Sequence, residues 1–353
     1  MRSRLKDVAL RAGVAVNTAS TILNRRPNSW ASKETAARVF KAAEELGYEP
    51  SRAAVALRMG KFNTIGLIVP DLQNPFYATL AETLETEIAP HGYDLILESS
   101  HADVRREADH LRSITSRQVD GLVCILIDYE RNQSTLQEYR DRGKAVVAMH
   151  EMGMGDVPVD AVTVNFRAGT TQAVQYLIGL GHRQIAFLLA VCEGQREGER
   201  PEVFRELVRE CGFRPEDVSF VRCDHTIASA RAATCQLLNR SPSQRPTAVL
   251  AHNDLAAIGV IRGALDLGLT VPADLSVIGV DHTPIGQHLT TALTTVEQPV
   301  GRMVTEAVGL LLRRMEDPRY ADAQQRAFST RLIIGESTAP PRMAAGSGDG
   351  KDA

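Results

Sequence analysis

The sequence predicts a small all-α head joined by a short basic linker to a larger α/β body of two lobes with parallel sheets. Three observations predict it. Within "DVALRAGVAVNTASTILNRRP" (residues 7–27) two short apolar-striped segments flank a single glycine. Residues 1–61 carry twelve Lys and Arg against five Asp and Glu, whereas the remaining residues carry 28 against 38. From residue 62 onward, short β-type runs alternate with amphipathic stretches. The 353-residue length exceeds one ordinary core, and 44% hydrophobic with 24% charged residues is a globular balance.

In the head, Leu5, Val8, Ala9 and Ala12 recur at i, i+3, i+4 and i+7, the spacing of one helical face. Gly13 supplies a residue free to take positive φ at a sharp turn. A second stripe of Ala15, Ala19, Ile22 and Leu23 turns inward and leaves Asn17, Ser20, Thr21 and Asn24 outward, with Val16 at the leading edge. Ser32 is a good N-cap for a third helix through "KETAARVFKAAEEL", with Glu34 in its first turn and Gly47 at its end. Three short helices with a glycine turn between the first two describe a helix-turn-helix domain. Small polar side chains on the outer face of its second helix suit close approach to base edges and phosphates. A basic head on an acidic body fits the same partner, a polyanion.

The linker "SRAAVALRMGK" (residues 51–61) follows Pro50 and carries Arg52, Arg58 and Lys61; it is too short to be a stable helix in isolation. In the body, candidate strands are "TIGLIV", "DLILES", "GLVCILI", "AVVAM", "AVTV", "QIAFLL", "VSFV", "TAVLA", "LSVIGV" and "FSTRLII". Open parallel sheets bind ligands beyond the carboxyl ends of their strands. That rule nominates Asp71 to Phe76, Asp128, His150, Arg200, Asn253, Asp254 and Asp281. Arginine, asparagine, aspartate and an aromatic suit a hydroxylated ring, by bidentate hydrogen bonds and by packing on its C–H face.

Several segments together resemble the LacI/GalR family of bacterial transcriptional regulators, in that family's order and spacing over about residues 3–337. They are "LKDVALRAGV", "NTASTILN", "ASKETAARVFKAAEELGYEPSRAAVALR", "TIGLIVPDLQNPFY", "GLGHRQIAFL", "PTAVLAHNDLAAIGV", "VPADLSVIGVDH" and "LTTVEQP". The resemblance implies a helix-turn-helix domain at 1–50, a hinge helix at 51–61 and a two-lobed, periplasmic-binding-protein-like effector and dimerisation domain at 62–337. Lobe one would take 62–163 and 297–324, and lobe two 164–296 and 325–337, before a disordered tail at 338–353. It implies base reading by Val16, Asn17 and Thr21, with Thr18, Ser20 and Asn24 touching phosphate or bracing the helix. It makes Leu57 the wedge between central base steps in the minor groove, with Ala54 allowing two hinges to approach. It implies effector contacts from Arg200, Asn253 and Asp281, with Asn74 and Phe76 in the first-lobe loop; His150, next to Met149, stands on the strand-end rule.

Four departures from the family pattern stand out. Ala15 replaces a common serine at the start of the second helix, and Trp30 before the third is atypical; packing suits it better than base stacking. "PEVF" follows Arg200 where a leucine-x-glycine-phenylalanine continuation is usual. Met149 stands where many members have an aspartate, which points to a ligand less polar than, or shaped differently from, a simple hexose.

The function this predicts is a sequence-specific DNA-binding regulator, a repressor, that binds a pseudo-palindromic operator as a homodimer under control of a small effector, a carbohydrate first. The alternative is the same regulator using a purine or other metabolite as co-repressor, or a ligand-dependent activator. Tetramers of the family that the chain resembles use an added C-terminal helix with leucine repeats; this tail has none, so the resemblance implies a dimer rather than a tetramer.

Other classes fare worse. No G-x-S-x-G, Walker loop or C-x-x-C motif occurs. His182 has no second histidine at ligand spacing and reads as a structural cap, so no enzyme, cofactor or metal is expected. A two-lobed transport protein would need a signal peptide and no head; Asp7 and Arg11 interrupt any apolar leader core. With no run of about 18 apolar residues and five unpaired-looking cysteines, the expected setting is the bacterial cytoplasm, at the nucleoid when bound, with no membrane partner.

Overall fold

A computed structural model describes residues 3–23, 31–48, 61–114, 119–152, 157–191, 197–241, 244–319 and 322–342. The chain divides into two units, residues 1–63 and 64–353. In the first, α1 (Leu5–Ala12), α2 (Val16–Leu23) and α3 (Lys33–Glu45) close on one core. Gly13 ends α1 at φ 65°, and the Val14 amide reaches back to the Ala9 carbonyl at 3.0 Å, a left-handed stop that only glycine takes without cost. Ser32 caps α3 by accepting from the Thr35 amide at 3.1 Å. Val8, Ala19 and Val39 are fully buried where the three helices meet, as the two apolar stripes predict. Two readings are corrected: Ala15, expected to turn inward, is exposed, because it precedes the first turn of α2, and Ser20, expected to face outward, is buried. Ser20 is only 6% exposed, because it lies beside Ala19 on a helix whose buried arc is wide enough to take both. Asn24, Trp30, Ala54 and Leu57, with nearly all of the expected hinge, lie outside the described residues.

The second unit contains two six-stranded sheets. β1 (Thr64–Val69), β2 (Asp94–Ser99), β3 (Gly121–Cys124), β4 (Ala145–Glu151) and β5 (Asp160–Asn165) join β11 (Gln325–Ser329) in the order β11-β5-β4-β3-β1-β2, every pair parallel. The second sheet runs β12-β10-β9-β8-β6-β7, from β6 (Ile185–Ala190), β7 (Val218–Cys223), β8 (Ala248–Ala251), β9 (Ser276–Asp281), β10 (Thr294–Glu297) and β12 (Arg331–Ile333). Its pairs are parallel except β10 with β12. The central strands read as continuous apolar runs because helices cover both faces; β6 and β8 are buried at every residue.

The lobe boundaries need one correction. "FSTRLII" reads as a single strand, and the family resemblance puts all of 325–337 in lobe two. Instead β11 pairs with β5 in the first sheet, and only β12 pairs in the second. Thr330 makes the break: buried, it donates from its amide to the Asn165 carbonyl at 3.2 Å, and its hydroxyl accepts from the Gly169 amide at 3.2 Å. A Cβ on Gly169 would run into Val296 and lie 2.6 Å from the Thr330 hydroxyl, so glycine is needed where these connections touch. The strand β10 lay hidden in "LTTVEQP", because its threonines are buried through hydrogen bonds: Thr295 donates to Asp254 at 2.6 Å.

The expected tail also begins too early. Residues 338–342 dock on the second sheet, with the Ala339 amide donating to the Ser276 hydroxyl at 3.0 Å and Arg342 reaching Asp274 at 2.7 Å. Residues 343–353 lie outside the described part. His182 is a buried brace, its ring 2.8 Å from the Thr247 hydroxyl and 3.0 Å from the Ala339 carbonyl. Among the described residues, no helix is long and apolar enough to cross a membrane.

Candidate effector cleft and DNA-reading helix

Both sheets of the second unit end their central parallel strands at one cavity of about 150 Å³, where strand-end binding places a ligand. All six sequence-predicted effector residues line it: Asn74, Phe76, His150, Arg200, Asn253 and Asp281. Asp71 also lines it, whereas Leu72, Gln73 and Pro75 of the nominated run do not, and neither do Asp128 and Asp254. Asp128 caps α6 (Tyr129–Asp141) by accepting from the Arg131 amide at 2.9 Å. Asp254 is fully buried and takes hydrogen bonds from the Thr283 amide and from the hydroxyls of Thr283 and Thr295.

Each lining residue is held by its element. After β1, Asn74 caps α4 (Pro75–Ile88), its oxygen accepting from the Phe76 amide at 3.0 Å, and so turns Phe76 toward the cavity. Asn253 does the same for α10 (Asp254–Asp266), accepting from the Ala256 amide at 2.8 Å. Their capping and pocket roles coexist, because the cap uses the amide oxygen only. His150 and Glu151 end β4; the His150 ring is bonded at 2.9 Å to the Glu151 carbonyl and tilted 5.0 Å from Tyr129. Tyr129 fixes this wall, its hydroxyl accepting from the Leu126 amide and lying 2.9 Å from the Cys124 and Met149 carbonyls.

Asp281 ends β9 at φ 110°. Its carboxylate takes a 2.6 Å hydrogen bond from Gln298 and another from the Asn74 side chain. Burial, then the nearby charge of Asp254, push its pKa up to about 7, against the pull of Arg200 and both amides. Burial followed by the Arg200 charge moves His225 below the usual histidine range and His252 well below it, so both rings are neutral near pH 7.

Sequence reasoning missed Glu151. Arg200, in the first turn of α8 (Glu199–Glu210), donates from its backbone amide to Glu151 at 2.9 Å and from Nη2 at 3.3 Å, while Nη1 donates to the His252 carbonyl at 2.6 Å. Arg200 also stacks 4.6 Å above the Phe166 ring. The absence of an acid at Met149 therefore does not leave the cleft less polar. Met149 is buried, and the carboxylate arrives two residues later. His225, His252, Tyr77 and Phe166 were missed as well; the positions of Phe166, His225 and His252 just past β5, β7 and β8 were the available signal. No group of residues that would hold a metal ion occurs among the described residues.

On the first unit, α2 exposes Val16 and Asn17, with Thr18 and Thr21 half-buried. The Thr21 hydroxyl donates to the Asn17 carbonyl at 2.8 Å, which leaves it free to accept.

Comparison with known proteins agrees with both units. Residues 4–51 match the family described as bacterial regulatory proteins, lacI family, and residues 174–338 match a periplasmic binding protein-like domain. The HTH-type transcriptional repressor PurR of Edwardsiella ictaluri is 34% identical over 339 residues, covering 95% of this chain and 96% of that one. A LacI family regulator from Enterococcus faecium with bound ribose superposes with a TM-score of 0.69 at 26% identity, over 79% of this chain and all of that one. The lac repressor dimer bound to operator and the anti-inducer ONPF shares the fold, with a TM-score of 0.79 at 24% identity over 96% of this chain and 100% of that one. The chain belongs to the LacI family of bacterial transcriptional regulators.

Proposed function

We propose that this protein is a repressor that binds a pseudo-palindromic operator as a homodimer, one α2 helix in each half-site, and that a small effector in the cleft controls it. The observation that carries this reading is the meeting in one cavity of Arg200, Asn253 and Asp281 from the second sheet with Asn74 and His150 from the first, in a chain that also carries a helix-turn-helix. A ligand that touches both sheets favours one lobe arrangement over another. It regulates by that difference in affinity alone.

The relatives named PurR favour a purine over a carbohydrate as effector. The lining supports the same choice. Phe76, Tyr77, Phe166 and His225 give it flat aromatic surface, and among the described lining residues Tyr77 carries the sole side-chain hydroxyl. A planar heterocycle offers faces to stack and an edge of donors and acceptors for Asn253 and Asp281. Calorimetric titration of the full chain with hypoxanthine, guanine, ribose and cellobiose tests this. Saturable binding of a base, abolished in Arg200→Ala, is the expected result; binding of a sugar alone would return the carbohydrate reading.

A further inference from the structure

The charge balance of the cleft carries a consequence for the kind of effector it admits. Among the described lining residues, Arg200 is the one arginine or lysine, and His225 and His252 are held neutral. Its guanidinium is already committed. Nη2 and the backbone amide face the Glu151 carboxylate, Nη1 faces a carbonyl, and the plane covers Phe166. The pair is largely buried, with side-chain exposures of 14% for Arg200 and 13% for Glu151, so water screens it little. Nε of Arg200 is buried without a hydrogen-bond partner: one donor remains for a ligand acceptor. Asp71 and Asp281 add further carboxyl groups around the same space.

We propose that Glu151 determines effector charge: by occupying Arg200 it makes the cleft selective for an uncharged ligand and rejects phosphorylated ones. A phosphate brought to Arg200 would have to displace Glu151 or lie beside it, and like charges held together in a low-dielectric site repel strongly. An uncharged ring instead gives one acceptor to Nε and directs its donors at the carboxylates. The inference rests on the effector reading above. It predicts a free base, nucleoside or unphosphorylated sugar in preference to the phosphate ester of the same compound.

The probe is inorganic phosphate, so the effector need not be identified first. Full-length protein with isotopically labelled histidine rings is titrated with phosphate, against sodium chloride at equal ionic strength, following the His225 and His252 signals. The native protein should show no saturable shift. Glu151→Gln, which keeps the shape and removes the charge, should bind phosphate at least roughly tenfold more tightly, and adding Arg200→Gln should abolish the gain. Glu151→Lys should bind phosphate more tightly still, which gives a second route if the first variant folds poorly. Saturable, Arg200-dependent phosphate binding by the native protein, or no gain in either variant, overturns the proposal. Failure of the effector reading itself would show differently, as a cleft that responds to no uncharged metabolite while the phosphate series is read as before.

Discussion

Gln298 donates its side-chain amide to the Asp281 carboxylate across 2.6 Å, at the point where the chain leaves β10 for α12 (Val300–Glu316). Asp281 also bonds to Asn74. One carboxyl group thus ties the last strand of the second sheet's switch region to the capping residue of the first sheet's opening helix.

Asp281 makes stability depend on pH. Its folded pKa of about 7 lies above the ordinary 3.8, so the folded state holds a proton that the unfolded state releases. This contribution is fully present below 3.8 and is lost as the pH rises through about 7. Asp281→Asn, which mimics the neutral acid, should match the native protein at low pH and become the more thermostable of the two as the pH rises toward 8. Thermal unfolding of the ligand-free proteins from pH 4 to 8 checks this; a constant difference across the series would contradict it.

Glu107 holds the wall of the cleft from below. Fully buried, it accepts from the Ile127 amide at 2.5 Å, the Asp128 amide at 3.2 Å and the Asn132 amide group at 2.9 Å. Glu107→Ala orphans these donors and should cost roughly 3 kcal/mol in urea unfolding. Glu107→Gln should cost less, since it keeps one acceptor. Equal losses for the two variants would show that packing, not the hydrogen bonds, is at stake.

Gly169 sits where a side chain has no room. Gly169→Ala places a methyl group against Val296 and Thr330 and should destabilise by about 1–3 kcal/mol. The loss is read as a lower urea midpoint at unchanged slope.

Asn17 is exposed on α2. Asn17→Ala should weaken operator binding by about 1–3 kcal/mol and leave binding to random DNA nearly unchanged. An equal loss on both DNAs would make Asn17 a phosphate contact.

The sequence made most strands legible because parallel strands covered on both faces are uninterrupted apolar runs, as in "QIAFLL" and "TAVLA". It hid β10, whose buried threonines are polar by composition and satisfied only by partners such as Asp254, 41 residues away. It fused β11 with β12, since nothing local marks Thr330 as the residue that leaves one sheet for another. Strand-end position found Arg200, Asn253 and Asp281, yet nominated Asp128 and Asp254, which are consumed by a cap and by a hydrogen-bond cluster. Glu151 was passed over although it ends β4 beside the nominated His150, since its contact with Arg200, 49 residues on, has no local mark in the sequence. The two faces of α2 were legible except at Ser20, where a short helix buries a wider arc than its apolar residues mark, and at Ala15, which precedes the helix and is exposed.

The most direct measurement is sequencing of genomic fragments retained by the purified full-length protein, with and without pools of purine bases and of sugars, for the native chain and for Arg200→Ala. An effector-controlled repressor should recover one palindromic sequence class whose retention is changed by the purine pool in the native protein and not in Arg200→Ala. Retention without sequence preference, lost in modest salt and indifferent to either pool, would leave phosphate contacts alone and contradict an effector-controlled repressor.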